Sequence, residues 1–376
     1  MSSKQIRLGI VGAGLWAERA HLPAFARISG VKIVGIADPD TNRARELANR
    51  FGIPSVYDNH EDLLAGGVDA VTIAAPVDQH FQIASAALRR GVHVLCEKPL
   101  ARTVDEAAAL KEMAGSAGLV DCMGFMLRFS PAFLQLQELL ESGAVGPIHS
   151  VLYHSHFAQF FDPQTPCHWT MDAERTGGGV SVEYGCHGLD LARYVAGDIT
   201  ELCANARTLV PERPDVGGAM QKVDVDEVCS WLANFSGGAE GLFHVSWSSS
   251  LSFGVEFAVF GQKGALGWRK TESWPFCQVL SSIDPTREMQ PVEIDRRYTD
   301  RVGWAESWRA CFMNGLAHQF TAEIAGAPRR SPGFHDGLES QRALKAIGTS
   351  LAERRWVSLD ETSARSRADE RKLGIL

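Results

Sequence analysis

The sequence predicts an α/β protein of two domains: a parallel sheet covered by helices, then an α+β domain with a large, mostly antiparallel open sheet. Three observations predict it. Strand-like and helical segments alternate at short intervals from residue 6 to about residue 124, which is the pattern of βαβ units. From about 201 to 280, β-type segments follow one another with turn residues between them, the pattern of antiparallel hairpins. The length, 376 residues, exceeds what one ordinary core organises. The boundary is placed at 125, giving domains 1–125 and 126–376.

In the first domain IRLGIVG and VKIVGIAD read as strands, with a helix over ERAHLPAFARI between them. A helix over about 42–50, a short strand at 55–57 and the buried-type strand Ala70-Val71-Thr72-Ile73-Ala74 follow. A helix over 79–90, a strand at 92–96, a helix over 104–117 and a strand at 119–124 complete the sheet. Such continuous apolar runs suit parallel strands buried on both faces.

The second domain opens with a helix over 131–142 and an alternating strand at 150–157. Gly177-Gly178-Gly179 then starts a helical stretch running to about 195. Five strand segments come next: ELCANARTLV, EVCSWLANF, AEGLFHVSW, GVEFAVFG and ALGWRK, with a hairpin turn at Ser236-Gly237-Gly238. Helices near 306–325 and 336–352 close the chain and are expected to pack back toward the first domain.

Composition narrows the function classes. A net charge of −8 and no basic block leave nothing to track a phosphate backbone, so a nucleic-acid partner is not expected. No apolar run reaches the ~18 residues that span a bilayer, and MSSKQIRLGIVG carries no signal-peptide pattern. A cytoplasmic chain, with no membrane partner, is expected. The eight cysteines are scattered without a C-x-x-C pair, which fits free thiols in a reducing compartment. His154 and His156 point to one face of their strand but lack a carboxylate at matching spacing, so no metal site is expected.

The stretch from Ile6 to Asp38 is the most specific local pattern. Gly12 permits a tight turn after the first strand, Gly14 lets the backbone approach a pyrophosphate, and small Ala17 lets the helix pack closely on the sheet. Leu15 and Trp16 open that helix, whose unpaired N–H groups and dipole favour an anion. Asp38 follows the second strand at the spacing of about 20 residues expected for the acid that accepts a ribose diol. An acid there favours NAD over NADP, although Arg43 and Arg45 lie close in sequence.

Two further blocks carry side chains suited to chemistry. Cys96-Glu97-Lys98-Pro99-Leu100 follows a strand at the carboxyl edge of the sheet, where ligands of open α/β sheets bind. A lysine there can sit beside a nicotinamide and hydrogen-bond a substrate hydroxyl, with Pro99 stiffening the turn. In Gly177–Asp190, a regular helix would place Glu183 and His187 on one face at i and i+4, with Asp190 one step beyond. Histidine titrates near neutrality, and a neighbouring carboxylate can orient its ring for proton transfer. A structural Glu–His contact remains open on these residues alone.

Taken in order, GIVGAGLWAERAHLPAF, the P-x-x-x-H of Pro76 to His80, GVHVLCEKPLA, GFMLRFSPAF, GGGVSVEYGCHGLDLARY and HDGLESQRALKAI resemble the glucose-fructose oxidoreductase, inositol dehydrogenase and MocA family over nearly the whole chain. The resemblance implies an N-terminal Rossmann domain and a C-terminal domain whose open sheet forms a homodimer or homotetramer interface. It implies reversible oxidation of a secondary hydroxyl on a sugar, glycoside, polyol or related cyclic compound by NAD(P). In that scheme Lys98 is the active-site lysine, Pro99 is cis, His187 is the acid/base group and Glu183 stands where members carry aspartate. Ala75, Pro76, His80 and Glu97 join Gly12, Gly14, Leu15, Trp16, Asp38 and Lys98 around the cofactor.

This chain departs from the family pattern in three places. Glu183 is one methylene longer than the usual aspartate, which leaves open that its carboxylate reaches the substrate differently or bonds the lysine instead. Ala75-Pro76-Val77 replaces T-P-N and removes two polar contacts near the cofactor. Met126-Leu127 replaces polar residues ahead of Arg128-Phe129, which points to a more apolar pocket. Met126, Phe157 and Trp169 therefore join Lys98, Glu183 and His187 as candidate substrate contacts, with Phe160, Phe161 and His168 in the same loop. Two other uses of such a site stay open: redox-neutral glycoside cleavage or elimination with retained cofactor, and a non-catalytic NAD-binding regulator.

Overall fold

A computed structural model describes residues 5–272, 277–282, 288–300 and 307–363. The first sheet contains β1 (Ile6–Val11), β2 (Val31–Ala37), β3 (Val56–Tyr57), β4 (Ala70–Ile73), β5 (His93–Cys96) and β6 (Asp121–Met123). Its order is β3-β2-β1-β4-β5-β6, and every pairing is parallel. Strand order reverses between β1 and β4, so the carboxyl ends of these strands border the crevice in which such sheets bind ligands. The buried β4, AVTI, shows why the sheet is parallel: all four side chains are covered, which requires helices on both faces.

The second sheet is larger and mostly antiparallel. Its strands are β7 (Ile148–His156), β8 (Ile199–Arg207), β11 (Val228–Phe235), β12 (Glu240–Ser246), β13 (Gly254–Gly261), β14 (Gly264–Lys270), β15 (Cys277–Ser282), β16 (Gln290–Val292) and β17 (Val357–Ser358), while β9 (Glu212–Pro214) and β10 (Met220–Lys222) form a separate ribbon. The order is β16-β15-β14-β13-β7-β12-β11-β8-β17. One pair breaks the antiparallel rule: β7 lies parallel to β12. Ser236-Gly237-Gly238 turns the chain between β11 and β12, which pair antiparallel from Asn234 and Glu240 onward.

One face of this sheet is covered by the helix Cys186–Ala196. Trp231, Trp247, Trp268 and Tyr153 are fully buried, and Trp231 stacks on Phe243 at 4.8 Å. A Cβ on Gly188 would lie 2.4 Å from the Tyr153 ring, so glycine is what lets the helix lie this close. Each large apolar side chain so covered contributes roughly 1.5–3 kcal/mol, and the contacts fix the helix that carries His187.

The late helices Trp308–Ile324 and Phe334–Glu353 meet the sequence expectation, although its start at Glu306 lies outside the described residues. The second returns to the first sheet: the Phe334 N–H donates to Asp121 Oδ2 at 2.5 Å, and Gln341 Nε2 donates to the Arg102 carbonyl at 3.0 Å. The expected helix over 18–28 is present as a continuous helical run over 15–25, with a wider π-turn at Ala17–His21 leading into the α-helical Leu22–Phe25. All eight cysteines are free. Among the described residues no helix is long and apolar enough to cross a membrane.

Candidate active site

The glycine turn is built by close approach on one side and open space on the other. Gly12 adopts a left-handed φ of 98°, and a Cβ there would lie 2.6 Å from the Ala74 carbonyl oxygen. A Cβ on Gly14 would meet nothing within 4 Å, so the backbone borders a free cradle where the helix begins. Leu15 is 55% exposed at its rim, and no side chain caps the turn after Trp16. Free N–H groups at a helix start fit a pyrophosphate. Asp38 Oδ2 accepts from the Ala13 N–H at 2.7 Å and Oδ1 from the Asp40 N–H at 2.8 Å, which fixes the acid beside that cradle. Arg43 is held by Glu18 and Glu46.

Behind the turn lies a buried polar chain that ties it to the end of β5. Glu97 Oε1 accepts from Trp16 Nε1 at 2.9 Å and lies 3.0 Å from His21 Nε2, whose Nδ1 meets Thr72 Oγ1 at 2.7 Å. Burial opposes the charge on Glu97, yet the bonds to His21 and the nearby Lys98 hold its pKa below the ordinary value. His80 spans Ala75 and Pro99, with Nε2 2.9 Å from one carbonyl and Nδ1 2.8 Å from the other. Burial keeps its pKa low, so the neutral ring donates to one of them. Together these groups hold the loops after β4 and β5, with the Lys98–Pro99 bond cis. Nothing local in the sequence singles out His21.

Lys98 reaches across to the second domain. Its Nζ lies 2.8 Å from Glu183 Oε1 and donates to the Glu183 carbonyl at 3.0 Å. Burial disfavours the ammonium, but Glu183 and Glu97 outweigh it and raise the pKa above that of an ordinary lysine. The i,i+4 expectation for Glu183 and His187 gives way here. Ser181–Gly185 form a π-turn, whose extra residue rotates the following face. Glu183 is therefore directed to Lys98 and, among the described residues, makes no hydrogen bond to His187. Asp190 is drawn away as well, accepting Arg128 Nε at 2.8 Å and Nη2 at 2.5 Å.

The start of that turn depends on a residue that sequence analysis misses. Asp226 accepts from the Gly179 and Ser181 N–H groups at 2.9 and 2.8 Å. A Cβ on Gly179 would sit 2.0 Å from the Asp226 carbonyl oxygen. The third glycine is thus required by a loop residue 47 positions away, just before β11, a constraint without a local signal.

His187 stands two residues beyond the π-turn, with its ring edge-on to Phe125 at 6.1 Å. Its Nδ1 is buried and has no hydrogen-bond partner among the described residues. Burial, then the Lys98 ammonium, push its pKa down to about 3. The imidazole is neutral at physiological pH and holds its basic form. So weak a base takes a proton readily only from a group acidified by a neighbouring cation, and the Lys98 ammonium is such a cation.

The aromatic loop divides in two. Phe157 packs on Tyr184 at 5.0 Å, and Phe160 is buried on Trp247 at 5.4 Å, while Trp169 is 41% and Phe161 53% exposed. Arg213, fully buried, pins the loop by donating to the Phe160 and Asp162 carbonyls at 2.6 and 2.8 Å. Met126 lies in the core, 1% exposed. His154 pairs with Glu256 on β13 at 2.7 Å, within the second sheet. Lys270, at the end of β14, also escapes sequence analysis. Strand parity flags it, because Leu266, Trp268 and Lys270 all fall on the buried side.

Residues 6–125 match an oxidoreductase family with an NAD-binding Rossmann fold, and residues 133–267 match the GFO/IDH/MocA C-terminal domain. The chain is 32% identical to D-glucoside 3-dehydrogenase of Escherichia coli over 72% of its length and 71% of that protein. It is 27% identical to levoglucosan dehydrogenase of Pseudarthrobacter phenanthrenivorans over 96% of this chain and 100% of that protein. A solved levoglucosan dehydrogenase in complex with NADH and L-sorbose superposes with a TM-score of 0.87 at 26% identity, covering 95% of this chain and 99% of that one. With both domains matched in order along the chain, it belongs to the glucose-fructose oxidoreductase, inositol dehydrogenase and MocA family of NAD-binding oxidoreductases.

Proposed function

We propose that the protein oxidises a secondary hydroxyl of a sugar, glycoside, polyol or related cyclic compound with NAD, using His187 as the acid/base group. The observation that carries this reading is the meeting of two domains at Lys98. Its ammonium is buried and doubly bonded to Glu183, and with burial it depresses the pKa of His187, whose Nδ1 has no hydrogen-bond partner among the described residues. The relatives named for glucosides and levoglucosan support the substrate class.

When bound, NAD supplies the acceptor for the hydride that leaves the carbinol carbon. Gly12, Gly14, Leu15, Trp16 and Asp38 hold the nucleotide, and Ala75 and Pro76 border it. Glu97 and His80 act through the loops they brace. Lys98 donates to the reacting oxygen and stabilises negative charge as it develops. His187 accepts the hydroxyl proton, and Glu183 keeps Lys98 charged and oriented. Phe157 and Trp169 contact the apolar faces of the ring. NAD is preferred to NADP because Asp38 repels a 2′-phosphate and Arg43, the nearest cation in sequence, is already paired with Glu18 and Glu46.

The protein is placed in the cytoplasm as a homo-oligomer joined through the open sheet. A row of apolar side chains runs across that sheet through the pairs Leu232–Leu242 and Leu242–Leu152. Leu232 and Leu242 are about half exposed, an apolar surface suited to a second copy. Sedimentation of Leu232→Lys should show smaller particles than the parent.

Incubation with NAD and a panel of sugars, inositols and glycosides tests the chemistry. Reduced cofactor should accumulate with at least one compound and not with the Lys98→Met or His187→Asn variants. Consumption of a glycoside with no net reduced cofactor would instead establish the redox-neutral use of this site. Turnover unaffected by both substitutions would refute the assignment.

A further inference from the structure

A second lysine–glutamate pair stands beside the first. Lys270 is 2% exposed. Its Nζ lies 2.6 Å from Glu272 Oε1, 3.6 Å above the Trp308 ring and 5.4 Å from the Phe157 ring. Glu272 is half exposed. Its other oxygen accepts Trp308 Nε1 at 3.0 Å and faces Arg309 Nη2 at 3.4 Å.

Two aromatic contacts connect this pair to the groups already described. Trp308 meets Trp16 edge-on at 6.2 Å, and Trp16 is bonded to Glu97. Phe157 packs on Tyr184, the neighbour of Glu183. The charge of Lys270 is felt at His187 and that of Glu272 at Tyr184. Burial drives the Lys270 pKa down to about 8 against the pull of Glu272, so the ammonium is held at a cost. An apolar side chain at the end of this core-facing strand would avoid that cost. Charged groups kept under such strain at a crevice are candidates for ligand binding.

We propose that Lys270 and Glu272 form a second hydroxyl-binding site on the C-terminal wall of the crevice, gripping a substrate hydroxyl other than the one oxidised. A carboxylate accepts one hydroxyl proton while an ammonium donates to the same or a vicinal oxygen, the complement of a cyclic diol. Each ammonium in the pocket is matched by a carboxylate, Lys98 by Glu183 and Lys270 by Glu272, which suits a neutral polyhydroxylated ring. The proposal rests on the carbohydrate reading above and defines the hydroxyl pattern that reading leaves open. Lys270 is a specificity residue, apart from the proton transfer at His187.

Calorimetric titration of neutral sugars and inositols into the intact protein with NADH tests it, with monodeoxy analogues of each compound that binds. In the parent, removal of one particular hydroxyl should weaken binding about ten- to hundredfold, the range of a hydrogen bond to a charged group. In Lys270→Met that penalty should fall to about unity, with NADH affinity unchanged. Glu272→Gln changes an exposed partner and leaves the core intact, and should lose the same discrimination. A parent that binds none of the compounds, or variants that keep the parent's deoxy pattern, would overturn the proposal. Failure of the hydride-transfer reading shows differently, as compounds that bind without reducing NAD.

Discussion

The two sides of the crevice are wired in opposite ways. On the cofactor side, Ala13, Asp38, Asp40, Trp16, His21, Thr72 and Glu97 are joined in hydrogen bonds between 2.7 and 3.0 Å. On the substrate side, His187 Nδ1 has no partner among the described residues, and Trp169 and Phe161 stand about half exposed. A satisfied network holds a shape before its ligand arrives, whereas an unpaired buried polar atom costs about 1–3 kcal/mol until something meets it. On the proposed reading, nucleotide recognition falls to a preorganised network, and proton transfer to a ring whose Nδ1 still lacks a partner among the described residues. Lys98 belongs to both sides.

That division is broken most severely at Lys98. Lys98→Met should lower kcat/KM by about a hundred- to a thousandfold, the loss expected when a donor to a developing oxyanion is removed. Its effect on the NADH dissociation constant should be small, and equilibrium fluorescence titration measures it. A parallel collapse of NADH binding would show that the lysine serves the cofactor side instead.

Gly179→Ala attacks the substrate side without touching the nucleotide. The new Cβ cannot share space with the Asp226 carbonyl, so the π-turn must shift, at a cost of roughly 2–4 kcal/mol. Thermal unfolding should register that loss. NADH binding should survive at temperatures where the variant is folded, while sugar turnover falls.

Asp38→Ser makes the reverse cut. Losing a charge-assisted partner of the Ala13 N–H and of the ribose diol should weaken NADH binding about tenfold and narrow its preference over NADPH. The order in which sugars are preferred should not change.

The smallest effect concerns pH. His187 has a folded-state pKa near 3 against an ordinary 6.5, so its base form persists as pH falls through 6.5. Turnover should therefore show no loss assignable to His187 between pH 7 and 5, where a free imidazole would already be protonated. The same depression has a stability counterpart: the unfolded chain takes up the proton first, so stability contributed by neutral His187 declines as pH falls from about 6.5 toward 3. Chemical denaturation of the parent and His187→Asn across that window should show their stability difference closing on the acid side.

These tests also mark what was legible in the sequence. Gly12, Gly14 and Asp38 are readable because one strand, one turn and one helix dictate their spacing, and Lys98 because it ends a strand at a sheet edge. Of the second domain's strands, β7, β8 and β11 to β14 show in the sequence, whereas β9, β10, β15, β16 and β17 do not, and no local pattern encodes the parallel β7–β12 contact. The extra methylene of Glu183 leaves a bond to the lysine open, and that bond forms; the i,i+4 contact with His187 does not, because the π-turn adds a residue that a regular helix lacks. His21 and Asp226 depend on partners far along the chain, where sequence spacing is silent, and Glu272 joins its near neighbour Lys270 to the distant Trp308 and Arg309. Lys270 could have been found from parity alone: a charge on the buried side of a strand asks for a reason.

On the proposed reading, His187 moves a proton in a site whose nucleotide side is independent of it. Single-turnover oxidation of a reactive sugar by the parent and by His187→Asn, alongside NADH binding to each, tests that most directly. Hydride transfer should be slowed by about a hundred- to ten-thousandfold in the variant, with NADH affinity unchanged. Hydride transfer at the parental rate, or an equal loss of NADH binding, would contradict it.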